Sequence, residues 1–415
     1  MLCNIPLKTG EVLSVGAAES QERKLRAQGV EFLYIPPLTI SASFGYRVSE
    51  QAHWTIQQNH KSLAHFLSQR VGYETLHKFD WTIRLRNISL SARQRLSAVV
   101  YSQCFSPCGK FLATGNNYGH ISIYSLPAAL SPSASEATWK AILTFKAHPV
   151  EIFALVSTEQ FIISAGSGAI KAWKWSDIHS KTLRVVWSLE IPQSVTDNPE
   201  TNALVVDEQE GSSSLYAGCG DNNLYQWDMN TGDLLRTFQG HQDYVHCLAK
   251  RNDSEIISGS EDGTVRIWDT RTEECVHRLE PHKIEQCSRL QFGKWISCVA
   301  VDDNSDWMVC GGGPALSLWH LRSLSSSTTF HAPKVCSQFA MFYEDTVISG
   351  GNEPYVSHWM ISGEQKQHVP CSPTSVYNVA INEKSNNYKV LAVAGSSQKV
   401  DICTNFNYKA LSLTC

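Results

Sequence analysis

IISGSEDGTVRIWDTR, residues 256–271, sets two β-prone runs on either side of a Ser-Glu-Asp-Gly turn. An Asp-Gly step between two such runs is a strong short-range hairpin signal. The second run closes on Trp268-Asp269, and Gly240-His241 stands upstream at a spacing that brings one more polar loop back to the hairpin. A hairpin that ends in a flat aromatic residue reads as the middle of a four-stranded β-propeller blade.

The same unit recurs along the chain: FLATGNNYGHISIY (111–124), FIISAGSGAIKAW (161–173), LYAGCGDNNLYQW (215–227), IISGSEDGTVRIW (256–268), MVCGGGPALSLW (308–319), VISGGNEPYVSHW (347–359) and VLAVAGSSQKVDI (390–402). These are seven copies whose closing residues lie 40 to 54 positions apart, within reach of the ~40–45-residue period of a propeller blade once loops are allowed for. The expectation is an all-β, seven-bladed propeller over residues 94–415. Small residues in the second strand of each copy let neighbouring blades approach, and the closing Trp or Tyr supplies an apolar plate between them. Residues 96–105 read as the inner strand of the first blade and 408–414 as the outer strand of the last. Every blade is then contiguous in sequence and the ring closes by side-chain packing; the alternative adds a strand from before Ser91 to the seventh blade. Polar inserts at 127–138, 207–214 and 322–333 read as rim loops.

Composition fits a folded, water-soluble chain: 415 residues, 42% apolar and 18% charged. A net charge of −4 gives no chain-wide basic field for phosphate backbones. The cysteines are scattered singly, and Cys247, Cys298, Cys310 and Cys403 lie inside apolar runs, as small hydrophobes do in a reducing compartment. No secretory signal or membrane-spanning run is visible. Residues 1–93 lack the repeat and hold eleven Lys or Arg against seven Asp or Glu. They read as a non-propeller N-terminal extension, poorly ordered rather than a partner-binding arm, with a short helix within 51–71.

Candidate chemistry is sparse. His241, Ser258, Asp262 and Trp268 stand at the positions of the hydrogen-bonded tetrad of WD repeats; the Ser, His and Asp among them read as structural, because buried polar groups must find partners. The second copy keeps His148, Ser164 and Trp173 but has Gly168 near its turn; the third has Asp221 and Trp227; the seventh has Ile402 for Trp. Cys275, His277, His282 and Cys287 do not match a paired short-gap zinc pattern, and His282 reads as the loop histidine before the fifth blade. Gly311-Gly312-Gly313-Pro314 lacks the Lys and helix of a phosphate loop and reads as a hairpin turn. No catalytic residue, cofactor or metal is expected.

Four further stretches carry a resemblance: SPCGKFLATGNNYGHISIYSL (106–126), HQDYVHCLA (241–249), SDWMVCGGGPALSLWHLRS (305–323) and KVDICTNFNYKALSL (399–413). Through them residues 94–415, about three quarters of the chain, closely resemble the THO complex subunit 6 family of WD-repeat proteins. The resemblance implies a non-catalytic scaffold in a nuclear assembly, with nuclear speckles as its place, that couples transcription and splicing to messenger RNA export. It implies other THO subunits as partners, the coiled-coil subunits in particular, and indirect contact with the DEAD-box export helicase and mRNA. It implies no membrane and no small-molecule substrate. A second reading, a substrate receptor docking on the adaptor of a cullin-type ubiquitin ligase, rests on residues 256–271 ending in Asp269 and Arg271; the competing explanation is that Arg271 pairs locally with a neighbouring acid.

Overall fold

The structure, a computed structural model, describes residue 94 and residues 97–178, 184–192, 198–209, 212–332 and 334–414. The expected extension over 1–93 and its short helix lie outside these residues. From Val100 onward the chain forms seven four-stranded antiparallel sheets, each in sequence order and each from one contiguous segment: 100–146, 154–190, 201–238, 245–279, 296–329, 337–370 and 376–414. The first strand of every sheet contributes to one shared axial cleft of about 250 Å³, so the sheets stand as blades around an axis.

Glycine at one blade position explains how closely the blades approach. A Cβ on Gly115, Gly218 or Gly259 would fall 2.7, 2.7 and 2.6 Å from Ile152, Val245 and Ile296 of the following blade. Aromatic plates fill the remaining space between blades. Phe145, Phe238 and Phe330, at the ends of three outer strands, meet Trp173, Trp268 and Trp359 of the next blade at centroid distances of 4.9, 6.0 and 5.7 Å, inside the range where tilted and edge-on pairs attract. Trp268 is fully buried; replacing such a residue by Ala costs about 3–5 kcal/mol.

The inner strand of the first blade is Val100–Phe105 and the outer strand of the last is Tyr408–Thr414. A single apolar cluster joins Val100, Leu112 and Tyr124 of the first blade to Val390, Ile402 and Leu413 of the seventh. Two side-chain amides reinforce it. Gln103 Nε2 donates to the carbonyls of Asn378 and Ala392, at 3.2 and 2.8 Å, and Asn382 Nδ2 donates to Gly109 O at 2.8 Å. A parallel backbone bridge between Lys140 and Thr414, with Thr414 N donating to Trp139 O at 2.9 Å, adds to the expected side-chain packing. Among the described residues the seventh sheet has four strands, all from 376–414.

The rim loops differ from the sequence reading in three places. Residues 207–209 and 212–214 prolong a strand pair, Thr201–Gln209 with Ser212–Cys219, and Ser214 stands opposite Asp207. Within 322–333, Ser325–Thr329 is the fifth blade's outer strand, paired to Ser317–His320. Within 127–138 the chain first completes a helical turn, Leu126–Ala129, whose Leu126 and Ala129 are buried in the ring-closing cluster. Ser-rich composition concealed both strands, because backbone pairing on an outer edge needs no apolar face.

Candidate functional site

The fourth blade assembles its polar centre from three pieces of chain. Glu255–Ser260 and Val265–Asp269 pair in register, with Ile256 opposite Trp268 and Gly259 opposite Val265. The turn between them closes with Gly263 at φ +84°, a conformation that favours glycine. The loop before the blade then lays His241 against this hairpin.

The four expected residues form one hydrogen-bonded chain. Trp268 Nε1–H donates to Ser258 Oγ at 2.8 Å. Ser258 Oγ lies 2.7 Å from His241 Nε2, and His241 Nδ1 lies 2.9 Å from Asp262 Oδ2. Since the indole can only donate and the carboxylate only accept, the serine hydroxyl donates to Nε2 and the imidazole carries its proton on Nδ1. Asp262 takes three further hydrogen bonds: the Gln242 amide to Oδ2 at 3.0 Å, and the Thr264 amide and hydroxyl to Oδ1 at 2.8 and 2.7 Å.

Burial works to raise the Asp262 carboxyl, but hydrogen bonds from His241, Thr264 and the Gln242 amide overcome it and hold the group well below the usual carboxylate range. Burial pushes His241 down against the pull of Asp262, and Arg266 and Arg278 push in the same direction. The arrangement is a neutral histidine on a buried carboxylate. Ser258 has no exposed surface, so its hydroxyl cannot reach a substrate; what the set does is fasten a loop to a hairpin.

Other blades carry fragments of this set. His148 Nε2 and Trp173 Nε1 meet Ser164 Oγ at 2.9 and 3.0 Å, but the Gly168 turn offers no acid and His148 Nδ1 is buried without a partner. In the third blade Asp221 instead takes a hydrogen bond from Tyr225 Oη at 2.5 Å. The seventh lacks the indole, and its fully buried Asp401 accepts from Ser372 N, Ser372 Oγ and Ser412 Oγ at 2.5, 2.9 and 2.6 Å.

Asp269 and Arg271 face each other at the exposed end of the same hairpin. Arg271 Nε and Nη2 donate to the two carboxylate oxygens at 3.0 and 2.7 Å, and its amide donates to Oδ1 at 2.8 Å. The Arg271 side chain is 71% exposed. This fork holds Asp269 at about 2.

The remaining candidates are dispersed. Cys275 Sγ donates to His277 O, His282 Nδ1–H to Gly263 O at 3.0 Å, and Cys287 is buried. Among the described residues no group of three or more His, Cys, Asp or Glu is placed to hold a metal ion. Cys298, Cys310 and Cys403 are buried, and burial pushes the Cys298 thiol up to about 12. Cys247 is partly exposed and lines the axial cleft instead.

Sequence reasoning missed Arg289, for which a lone arginine in a loop gives no signal. Its guanidinium donates to five backbone carbonyls, those of Gly312, Gly313, Pro314, Ala332 and Val335, at 2.8 to 3.1 Å. It ties the Gly-Gly-Gly-Pro segment, of which Gly311 and Gly312 end the strand Trp307–Gly312 and only Gly313-Pro314 begin the expected turn into Ser317–His320, to the connection into the sixth blade.

No helix among the described residues is long and apolar enough to cross a membrane. The WD domain, G-beta repeat family matches residues 91–125 and 232–269. The chain is 49% identical over 317 residues to the THO complex subunit 6 homolog of Danio rerio, covering 76% of this chain and 97% of that protein. It is 45% identical over 327 residues to the Homo sapiens THO complex subunit 6, covering 78% and 94%. Identity to the Drosophila melanogaster THO complex subunit 6 is 32% over 315 residues, covering 74% and 87%.

Proposed function

The chain belongs to the THO complex subunit 6 family, and we propose that it is a non-catalytic scaffold subunit of the THO part of the transcription-export complex. In this reading it supports assembly of the complex in the nucleus, including nuclear speckles, and the coupling of transcription and splicing to mRNA export. The observation that carries the reading is the span of the similarity, which reaches 97% of the Danio rerio protein. Support also comes from the polar centre of the fourth blade, where the Ser258 hydroxyl of the Ser-His-Asp set is held by Trp268 Nε1 and has no exposed surface.

The partners in this reading are other THO subunits, the coiled-coil subunits in particular. The DEAD-box export helicase and mRNA are reached through them. A chain of net charge −4 has no general attraction for a phosphate backbone, which favours contact with RNA through the complex. Affinity purification of the tagged full chain from nuclear extract tests this: THO subunits recovered in stoichiometric amounts support it, and their absence refutes it.

The second reading, a receptor docking on a cullin-ligase adaptor through residues 256–271, draws on Asp269 and on the exposure of Arg271. Both groups are already bonded to each other at both carboxylate oxygens, so docking would have to break a local pair. That favours the scaffold.

A further inference from the structure

A cleft of about 460 Å³ opens beside the tetrad, where the loop carrying Gln242 meets the connection from the fourth blade to the fifth. Its charged lining is unbalanced. Arg278, Lys283 and Lys294 line it together with the carboxylate of Glu280, which Arg278 and Lys283 share at 3.1 and 2.9 Å. The other acid in the lining, Asp262, is committed to His241, Thr264 and Gln242 N. Lys294 has no carboxylate in ion-pair range among the described residues. His282 also lines the cleft, its ring fixed by Nδ1–H donating to Gly263 O.

Behind this wall the imbalance deepens. Arg266 and Arg278 stand directly opposite each other in paired strands, an arrangement that destabilises a sheet. Arg266 Nε is buried without a hydrogen-bond partner. Arg266 itself lies over the Trp268 ring, 5.7 Å from its centroid, so the charge left for an anion in the cleft is that of Arg278, Lys283 and Lys294, which Glu280 meets only in part.

The structure also discriminates between anions. Three cations line this cleft, whereas a nucleic acid strand needs a track of cations. Glu151, Glu200 and Glu261 lie on the same side of the ring, where Glu151 raises the Glu200 pKa beyond the effect of burial. The connection that supplies Glu280, His282, Lys283 and Lys294 also carries Leu290, 91% exposed. Arg289 anchors the neighbouring backbone with its five carbonyl hydrogen bonds. An exposed leucine on the connection that also mounts the cations suits a peptide bearing a compact dianion. We propose that this cleft receives a phosphorylated serine or threonine of a protein partner. The inference goes beyond the scaffold reading and does not depend on it, because binding is read on the purified full chain alone.

The test is fluorescence binding to three peptide libraries with randomised flanks and a fixed central phosphoserine, serine or glutamate, beside a 12-nucleotide RNA and inorganic phosphate as competitor. The expected result is that the phosphoserine library binds at least tenfold more tightly than the serine library. The glutamate library should fall between them and the RNA should match serine. Lys283→Glu with Lys294→Glu should abolish the preference while the melting temperature stays unchanged, and Lys283→Arg with Lys294→Arg should keep it. Equal or absent binding of the phosphoserine and serine libraries overturns the proposal. So does a preference that survives the double Glu variant, or RNA binding tighter than the phosphopeptide and lost in that variant.

Discussion

His241 Nδ1 and Asp262 Oδ2 lie 2.9 Å apart in the interior of the fourth blade, and the same carboxylate gathers the Gln242 and Thr264 amides. One aspartate thus anchors both the loop before the blade and the turn inside it. Asp262→Ala strands four donors, three of them buried, and each buried one costs about 1–3 kcal/mol when unmet. Urea denaturation of the variant should show a loss of about 3 kcal/mol, and a loss under 0.5 kcal/mol would contradict the assigned role.

His148 supplies a pH signature. Burial, with Lys171 adding to it, holds its pKa at about 4 against an ordinary 6.5. A group whose folded pKa is depressed contributes stability that is fully present above the unfolded pKa and is lost as pH falls toward the folded one. Between pH 6.5 and 4 the unfolded chain therefore takes up a proton that the folded chain refuses, at about 1.4 kcal/mol per pH unit. Denaturation of wild type and His148→Gln between pH 7 and 5 should show the steeper acid loss in wild type. Parallel curves would remove His148 from the account.

Arg289 is a structural clamp. Arg289→Lys offers at most three donors to five carbonyls, and Arg289→Ala offers none. The alanine variant should lose about 3 kcal/mol of stability, and amide hydrogen exchange should accelerate at 313–316 and 332–335 before it does elsewhere. Uniform exchange across the ring would argue against a local clamp.

Every described strand of the seven blades lies between Val100 and Thr414. Deleting residues 1–90 should accordingly shift the melting temperature by less than about 2 °C, whereas removing 408–415 should unfold the ring, since Tyr408–Thr414 closes it on Trp139. A fall of about 10 °C or more on the N-terminal deletion, well over 1 kcal/mol for a domain of this size, would show that the ring borrows structure from that segment.

How far the molecule was legible depended on how repetitive its signals were. The hairpin of 256–268 announced a blade because turn chemistry and strand pattern coincide there, and six weaker copies fixed the number of blades. The strand Ser325–Thr329 was hidden because an outer strand needs backbone pairing rather than a hydrophobic alternation. His241, Ser258, Asp262 and Trp268 could be named because their spacing repeats a known pattern. Arg289 and the cleft of Arg278, Lys283 and Lys294 could not, since long-range placement of loop cations leaves no periodicity to read.

The scaffold reading meets its most direct test when the chain is replaced in cells by the tagged Asp269→Ala, Arg271→Ala double variant and the proteins that copurify are quantified. The expected result is the same THO subunits in the same proportions as with wild type. Recovery of a cullin-ligase adaptor with wild type that disappears with the variant, or absence of THO subunits from both, would contradict it.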